Sequence, residues 1–294
     1  MGFYIIRQLH CIPLTQSRLP PCMKIWNYND FMFFEWIVPL LAGWIAGWIV
    51  NYISDVLPVT RRLSLPACLH CGASFTMRDY LFFQKCPNGH IRSIRVWLVQ
   101  AAMVGMSLYM YAHPPLKIGY WAGMILLIYF GLVFTIDMEH KLILHPTSIA
   151  GAALALTLGF FSRGLENTLW GGVTGLIVML GFYLFGVLFS KLRARRMQAK
   201  GLEADDEEAL GQGDVILVTI LGLLVGGPTL TLVMIFLSIL LGGVVSLLLI
   251  VGLMVMRRYN ENALMMFIPF GPYFIIGAGI IVYFPDVLKA ILPG

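Results

Sequence analysis

Long apolar runs separated by short polar stretches occupy most of the chain beyond residue 35. A helix that crosses a membrane needs about 20 mostly apolar residues, and we interpret eight runs as spans on this basis. They lie at residues 36–57, 96–111, 119–136, 147–162, 169–190, 215–225, 229–256 and 267–284. The sixth run is short, so it is either a broken or tilted span or one that continues into the seventh across Gly226, Gly227 and Pro228.

The composition supports this pattern. The 294 residues are 59% hydrophobic and 12% charged, whereas a soluble globular chain carries about 25% charged residues. We therefore predict an all-α polytopic protein that lies in a lipid bilayer. The net charge is +5, but the basic residues fall in loops, which indicates membrane orientation rather than nucleic-acid binding. We expect no nucleic-acid partner, and the sequence leaves the oligomeric state open.

Lysine and arginine are concentrated in alternate loops, chiefly those at residues 58–95 and 191–200. Loops rich in these residues stay on the cytoplasmic side of a membrane. The pattern therefore predicts that both loops face the cytoplasm and that both chain ends lie outside. Under this topology Asp137, directly after the third run, and Asp214, directly before the sixth, share the cytoplasmic face.

Residues 1–35 form an N-terminal extension without a long apolar region or a small-residue cleavage site, so they are a poor signal peptide. If the extension lies outside the membrane, Cys11 and Cys22 could pair as a disulfide. Alternatively the extension is not native, and Met23 or Met32 is the true initiator. The sequence leaves both interpretations open.

The loop at residues 58–95 carries four candidate metal ligands, spaced as Cys-x2-Cys, a gap of 14 residues, and Cys-x3-His. They are Cys68, Cys71, Cys86 and His90. Three thiolates and one imidazole suit a closed, structural zinc site, and Gly72 and Gly89 would let each half turn towards the metal. A loop this small needs metal to fold on its own. His70 is a spare ligand, and three reduced thiols without metal are the alternative.

Two carboxylates lie at the edges of apolar runs. Asp137 ends one run, and Asp214 follows Gly211 and Gly213 at the start of another. A carboxylate at the edge of a hydrocarbon segment is costly unless it has a function. If the two acids lie close together, one can stay protonated while the other ionises. Such a pair is sufficient to activate a water molecule for attack on an amide. The glycines would let the backbone approach a partner helix or a substrate closely.

A helix end that enters water is the alternative explanation of Asp137. Glu139 is a second acid at the same membrane edge. Residues two apart on a helix point to different faces, so we do not expect Asp137 and Glu139 to serve one site. Asp137 is closer to the apolar run and is the better candidate for catalysis.

Several segments together resemble one family. The stretch Gly211-Gln212-Gly213-Asp214, followed by an apolar run, resembles the second signature of the type IV prepilin peptidases. Phe134-Thr135-Ile136-Asp137, with a proline nine residues later, is similar to their first signature. The cysteine-rich loop is similar to the zinc loop of the bacterial members, and residues 268–272 are similar to the start of their last span. The resemblance covers about residues 36–284.

The resemblance implies a membrane aspartic endopeptidase with Asp137 and Asp214 as its catalytic pair and Gly211 and Gly213 as active-site backbone. Such an enzyme cleaves the basic leader from prepilin or pseudopilin precursors at the cytoplasmic face of the bacterial inner membrane. Many bacterial members then methylate the new terminus with S-adenosylmethionine. The implied organisation is a first membrane helix, a cytoplasmic zinc-knuckle loop at 58–95, and a peptidase domain over 96–294.

The chain departs from the family pattern in three places. His145-Pro146-Thr147 stands where proline is usually followed by Asp or Asn, and Gly47-Trp48-Ile49 replaces the usual Gly-Ser-Phe before Asn51. These two departures bear on substrate positioning and on methylation. His90 stands where cysteine is common, and its imidazole can bind zinc in place of the thiolate.

Three other functions compete with this interpretation. A transporter could use the acid pair as a proton or cation relay, but it would be expected to place acids near the bilayer midplane and to show an internal repeat. A metal-dependent transferase acting on lipid phosphates would need several clustered acids in each motif. A catalytically silent assembly protein is the third alternative.

Overall fold

A computed structural model describes residues 28–68, 71–115, 117–198, 211–255 and 269–286. The chain divides into two compact units, Met1–Ile37 and Val38–Gly294. Of the first unit the structure describes only the start of a helix, and the helix packing that forms the candidate site belongs to the second. Cys11, Cys22, Met23 and the spare ligand His70 lie outside the described residues.

The described residues form helices and no strand, with one isolated antiparallel bridge between Ala67 and Ser74. The helices are α1 (Tyr28–Thr60), α2 (Met77–Leu81), α3 (Ile94–Ala112), α4 (Gly119–His140), α5 (His145–Arg163), α6 (Leu165–Gln198), α7 (Gln212–Val225), α8 (Pro228–Val255) and α9 (Gly271–Tyr283). Each of the eight apolar runs falls on one of these helices, so the predicted all-α architecture is confirmed.

Within the part of the chain that the structure describes, four stretches are long and apolar enough to cross a membrane: Glu35–Thr60, Gly119–His140, Leu165–Leu192 and Pro228–Val255. The helices α7 and α9 are apolar but shorter. The membrane character is therefore confirmed, whereas the count of eight spans stays a prediction. The helix α1 begins at Tyr28, earlier than the predicted start of the first span at residue 36.

The sixth and seventh runs are separate helices. The helix α7 ends at Val225, and Gly226 and Gly227 follow with φ of 74° and 77°. Two successive residues with positive φ require glycine. Pro228 then starts α8, and proline is suited to this position because the N–H of a first helical residue makes no hydrogen bond within the helix. The sequence had left a continuous helix open, and the glycine pair excludes it.

The helix α4 lies at the centre of the bundle. In the most apolar stretch of α4, 61% of the residues are buried, whereas the corresponding fractions are 17% for α6 and 22% for α8. Side chains such as Phe185 on α6 and Leu247 on α8 are largely exposed, which suits helices that face lipid. The helix α4, which contains the third run and ends with Asp137 in its last turn, is therefore largely covered by other helices.

Glycines bring α7 into close contact with α6. A Cβ at Gly222 of α7 would lie 2.4 Å from the Gly171 carbonyl oxygen of α6, and a Cβ at Gly171 would lie 2.2 Å from the Gly222 carbonyl oxygen. Small residues are the usual means of close helix approach in membranes. The contact fixes the position of α7, and Asp214 lies in its first turn.

Polar side chains join α1 to α3. The buried Asn51 donates from Nδ2 to the carbonyl oxygen of Val96 at 3.1 Å, and Gln100 donates from Nε2 to the carbonyl oxygen of Trp44 at 2.8 Å. Gly47 leaves room for Gln100, since a Cβ there would lie 2.7 Å from Gln100 Oε1. These contacts hold the start of α3, just after the cysteine-rich loop, against α1.

Candidate active site and metal cluster

Asp137 lies in the last turn of α4. The helix ends at His140, and Lys141 follows in the left-handed conformation with φ of 51° and donates its N–H to the carbonyl oxygen of Asp137 at 2.9 Å. Only four residues separate α4 from α5, where Pro146 occupies the first turn. The Asp137 side chain is 5% exposed, so the carboxylate is held inside the bundle at the end of the helix.

Asp214 lies in the first turn of α7. Gly211 caps this helix in an extended conformation and accepts a hydrogen bond from the Asp214 N–H at 3.1 Å. The free N–H groups and the dipole at a helix start favour a negative charge. Asp214 is half-buried, and its carboxyl group is therefore placed between the bundle and its surroundings.

The structure brings the two acids together. They line one cavity of about 180 Å³. The lining residues are Asp137, Lys141, Leu142, Ile143, Gly211, Gly213, Asp214, Pro269 and Phe270. The end of α4, the start of α7 and the start of α9 thus converge on a cavity that can hold water between two carboxyl groups.

Gly271 is a site residue that the sequence did not single out. A Cβ at Gly271 would lie 2.3 Å from Asp137 Oδ2, and the Gly271 backbone amide approaches the same carboxyl group. Among the described residues, none gives Asp137 Oδ2 a hydrogen bond with normal geometry. The oxygen is therefore buried against the start of α9. The glycine between Phe270 and Pro272 was the only signal for this contact in the sequence.

The two glycines before Asp214 differ in their surroundings. A Cβ at Gly213 would lie 3.1 Å from the side chain of Ile143, in the connection between α4 and α5, whereas a Cβ at Gly211 would meet only the Gly213 backbone at 3.9 Å. Gly213 therefore permits the close approach of the two acid-bearing segments. Gly211 leaves one wall of the cavity open.

Glu139 does not line the cavity. Its Oε2 accepts a hydrogen bond from Arg95 Nη1 at 3.0 Å, on the side of α4 that faces α3. This placement agrees with the expectation that Asp137 and Glu139 serve different sites.

The four candidate metal ligands form one cluster. The donor atoms of Cys68, Cys71, Cys86 and His90 all lie within 4.8 Å of one another, and the Cys71 and Cys86 sulfurs are 3.3 Å apart. With zinc–sulfur bonds of about 2.3 Å, tetrahedral ligands are expected to lie about 4 Å apart. The donor set and its spacing therefore fit a metal ion.

The backbone of each half turns as the sequence predicts. Gly72 and Gly89 have φ of 71° and 83°. Their N–H groups donate to the carbonyl oxygens of Cys68 and Cys86, each at 2.8 Å. A hydrogen bond from the Ala73 backbone and the neighbouring Cys86 thiol lower the pKa of Cys71 to about 6. The thiolate, which is the form that binds metal, is thus favoured at neutral pH.

The cysteine-rich loop has a small core that packs on α1. Cys68 and Cys86 are buried with Phe75 and Tyr80, and Trp48 and Tyr52 of α1 contact this cluster. The guanidinium of Arg92 lies 4.0 Å from the centroid of the Tyr80 ring, a favourable cation–π distance. Packing against α1 therefore stabilises the loop, in addition to the stability that a metal ion bound by its four ligands would supply.

The fold and the site define a helical membrane protein whose bundle places two aspartates in one cavity and whose loop between α1 and α3 carries a three-cysteine, one-histidine cluster. Residues 124–247, which include both aspartates, match the model of the type IV leader peptidase family, so the resemblance is confirmed over these residues. The cysteine cluster and α9 lie outside the matched residues. No curated protein and no solved structure matches the chain.

Proposed function

We propose that this protein is a membrane aspartic endopeptidase that cleaves the basic leader from type IV prepilin or pseudopilin precursors. One observation carries the proposal: Asp137 and Asp214, both within the matched region, line one cavity. A match to a peptidase family and a carboxyl pair around a space that can hold water together support aspartic hydrolysis.

The reaction needs no residue beyond the pair. The ionised carboxylate takes a proton from a water molecule, and the water oxygen attacks the carbonyl carbon of the scissile peptide. The protonated carboxyl group donates to the carbonyl oxygen. The tetrahedral intermediate then collapses and the C–N bond breaks: the departing amine takes a proton from the protonated member of the pair, and the ionised member takes a proton back from a hydroxyl of the intermediate. We assign the proton to the pair and not to one residue, because interacting carboxyl groups titrate together.

An apolar cavity beside the acids supports a substrate with an apolar helix after its leader. This cavity of about 340 Å³ shares Phe270 with the acid cavity. It is lined by Met179, Phe182, Phe185, Gly186, Phe189, Ile239, Phe270 and Phe274. An apolar helix docked there would place the preceding peptide bond next to the carboxyl groups, while the polar leader stays in water.

The basic loops support a location of the acids at the cytoplasmic face of a bacterial inner membrane. The cluster of Cys68, Cys71, Cys86 and His90 would hold a structural zinc ion, which cross-links the two halves of the loop when bound. A second activity, N-methylation of the new terminus with S-adenosylmethionine, rests on the resemblance to bifunctional bacterial members alone.

A transporter is less well supported by the geometry. Acids that relay protons or cations are expected near the bilayer midplane. Asp137 lies in the last turn of α4 and Asp214 in the first turn of α7, so both lie at helix ends.

The proposal is tested with membranes that contain the protein and a prepilin-like substrate, by mass spectrometry of the product's new N-terminus. We expect cleavage after glycine in the wild type and its loss in both Asp137→Asn and Asp214→Asn, with each variant still present in the membrane. One added methyl group on the product would reveal the second activity. Cleavage by either variant would contradict the acid pair, and no cleavage by the folded wild type would contradict the peptidase.

A further inference from the structure

A network of charged side chains connects the cysteine-rich loop to the end of α4. Arg95, in the first turn of α3, forms an ion pair with Asp55 of α1 and another with Glu139 of α4. Its Nη1 also donates to Ser54 Oγ at 3.0 Å. Tyr80 of α2 donates from its hydroxyl to Asp55 Oδ2 at 2.5 Å. The guanidinium of Arg95 thus joins α3 to α1 and α4, and Asp55 joins it to the loop.

The network is partly shielded from water. The side chains of Arg95 and Asp55 are 14% and 11% exposed, and that of Glu139 is 32% exposed. Ion pairs of this kind are screened less than fully exposed pairs. A guanidinium fork also holds its partners in fixed directions. The Arg95 side chain therefore restrains where the last turn of α4 can lie relative to α1 and α3.

That last turn carries Asp137, two residues before Glu139. The helix ends directly afterwards at His140, and the chain reverses at Lys141. Helix ends fray unless they are held, and Asp137 Oδ2 lacks a well-aligned donor among the described residues. The position of the carboxylate thus depends on what holds the turn, and Arg95 holds it through Glu139.

We infer that Arg95 and Glu139 are positioning residues of the peptidase. The ion pair between them sets the position of Asp137 in the acid cavity, and through Asp55 and Tyr80 it ties this position to the folded cysteine-rich loop. This inference rests on the proposed peptidase function. Neither residue lines the acid cavity.

The decisive variant is Glu139→Gln, which keeps the size of the side chain and removes its charge. A displaced catalytic group lowers the rate of the chemical step, and a 1 Å displacement can cost about 100-fold. We expect kcat to fall by about tenfold or more, up to that limit, while KM, membrane level and metal content stay close to wild type. Glu166→Gln, at an exposed glutamate in the first turn of α6, makes the same chemical change elsewhere and should leave kcat unchanged.

Two further variants separate positioning from general stability. Arg95→Lys keeps the charge without the fork, so kcat should lie between wild type and Arg95→Gln. If Arg95 acts on catalysis through Glu139, adding Glu139→Gln to Arg95→Gln should lower kcat no further, since residues of one unit are not additive. Multiplied losses would overturn the inference.

The outcomes distinguish this inference from the proposed function. Wild-type cleavage that Asp137→Asn abolishes, together with an unimpaired kcat in Glu139→Gln, would overturn the inference alone. A raised KM with unchanged kcat would also overturn it, because it would make Glu139 a substrate contact. Absence of wild-type cleavage would overturn both.

Discussion

At the scale of the residue, the absence of a side chain at Gly271 lets α9 begin next to Asp137. A methyl group at this position would lie 2.3 Å from the carboxylate oxygen, so Gly271→Ala must displace either the acid or the helix. We expect cleavage to fall by about 100-fold, as for a misplacement of about 1 Å, in a protein that still inserts into the membrane. The measurement is the initial rate of leader cleavage at equal membrane levels.

Gly279 in the same helix provides the matched control for this prediction. A methyl group there would meet Phe130 and Tyr283 at 3.9 Å, which is ordinary contact. Gly279→Ala should therefore cleave at nearly the wild-type rate. Equal rates for Gly271→Ala and wild type would show that the contact with Asp137 is not important for the reaction.

A second prediction concerns the two glycines before Asp214. Gly213→Ala brings a methyl group within 3.1 Å of Ile143 and should push the start of α7 away from the α4–α5 connection, so cleavage should fall severalfold. Gly211→Ala meets no side chain and should cost less. The ratio of the two cleavage rates is the measurement, and an equal or reversed ratio would contradict the role of Gly213 in the close approach.

These residues show what the sequence could and could not predict. Asp137 and Asp214 were recognisable because each lies at the edge of an apolar run. The turns at Gly72 and Gly89 were recognisable because glycine lets each half of a metal-binding loop turn towards the metal. The contact of Gly271 with Asp137 was not predictable from periodicity, because it depends on how α9 packs against α4. The partners of Arg95 were hidden for the same reason, since they come from two other helices, α1 and α4.

At the scale of the element, the contact between α6 and α7 determines where Asp214 lies. A methyl group at Gly222 would lie 2.4 Å from a backbone oxygen, and backbone cannot move aside as a flexible side chain does. Gly222→Ala should therefore lower the free energy of unfolding by about 1–3 kcal/mol, as overpacking does. The midpoint of thermal unfolding in detergent measures the effect.

Gly181 of α6 provides the control for Gly222→Ala, because no atom lies within 4 Å of a methyl group at Gly181. Alanine is favoured over glycine in a helix by up to about 1 kcal/mol, so Gly181→Ala should leave stability unchanged or slightly raised. A Gly222→Ala protein as stable as the Gly181→Ala protein would show that α6 and α7 can separate without cost.

The elements themselves were predictable to a greater degree than their packing. Apolar runs indicated every described helix of the bundle, but they left open whether α7 continues into α8 across Gly226 and Gly227. The helix boundaries differ by up to eight residues, as at Tyr28, because apolar content does not show where helical hydrogen bonding begins. The short α2 was missed, since a helix this short inside a loop has no apolar period.

At the scale of the whole molecule, the cysteine cluster and the acid cavity are separate sites with separate requirements. Cys68→Ser removes a buried ligand and should lower the zinc content and the thermal stability more than the cleavage step itself. Ser74→Ala, at an exposed residue of the same loop, should leave the zinc content unchanged. Metal analysis of the purified proteins is the measurement, and an unchanged zinc content in Cys68→Ser would contradict the site.

The orientation of the bundle gives the last prediction. Leu142 lies before α5 beside the acids and Leu165 lies after it, and both side chains are exposed. If α5 crosses the membrane, a membrane-impermeant thiol reagent should label Leu142→Cys only from the cytoplasmic side and Leu165→Cys only from the opposite side, as read by mass spectrometry of each position. Labelling of both positions from one side would show that α5 does not cross the membrane. The argument from alternate basic loops, which places the acids at the cytoplasmic face, would then fail. Labelling with the two sides exchanged would keep α5 as a span but move the acid cavity away from the cytoplasm, where no leader of a newly made precursor would reach it.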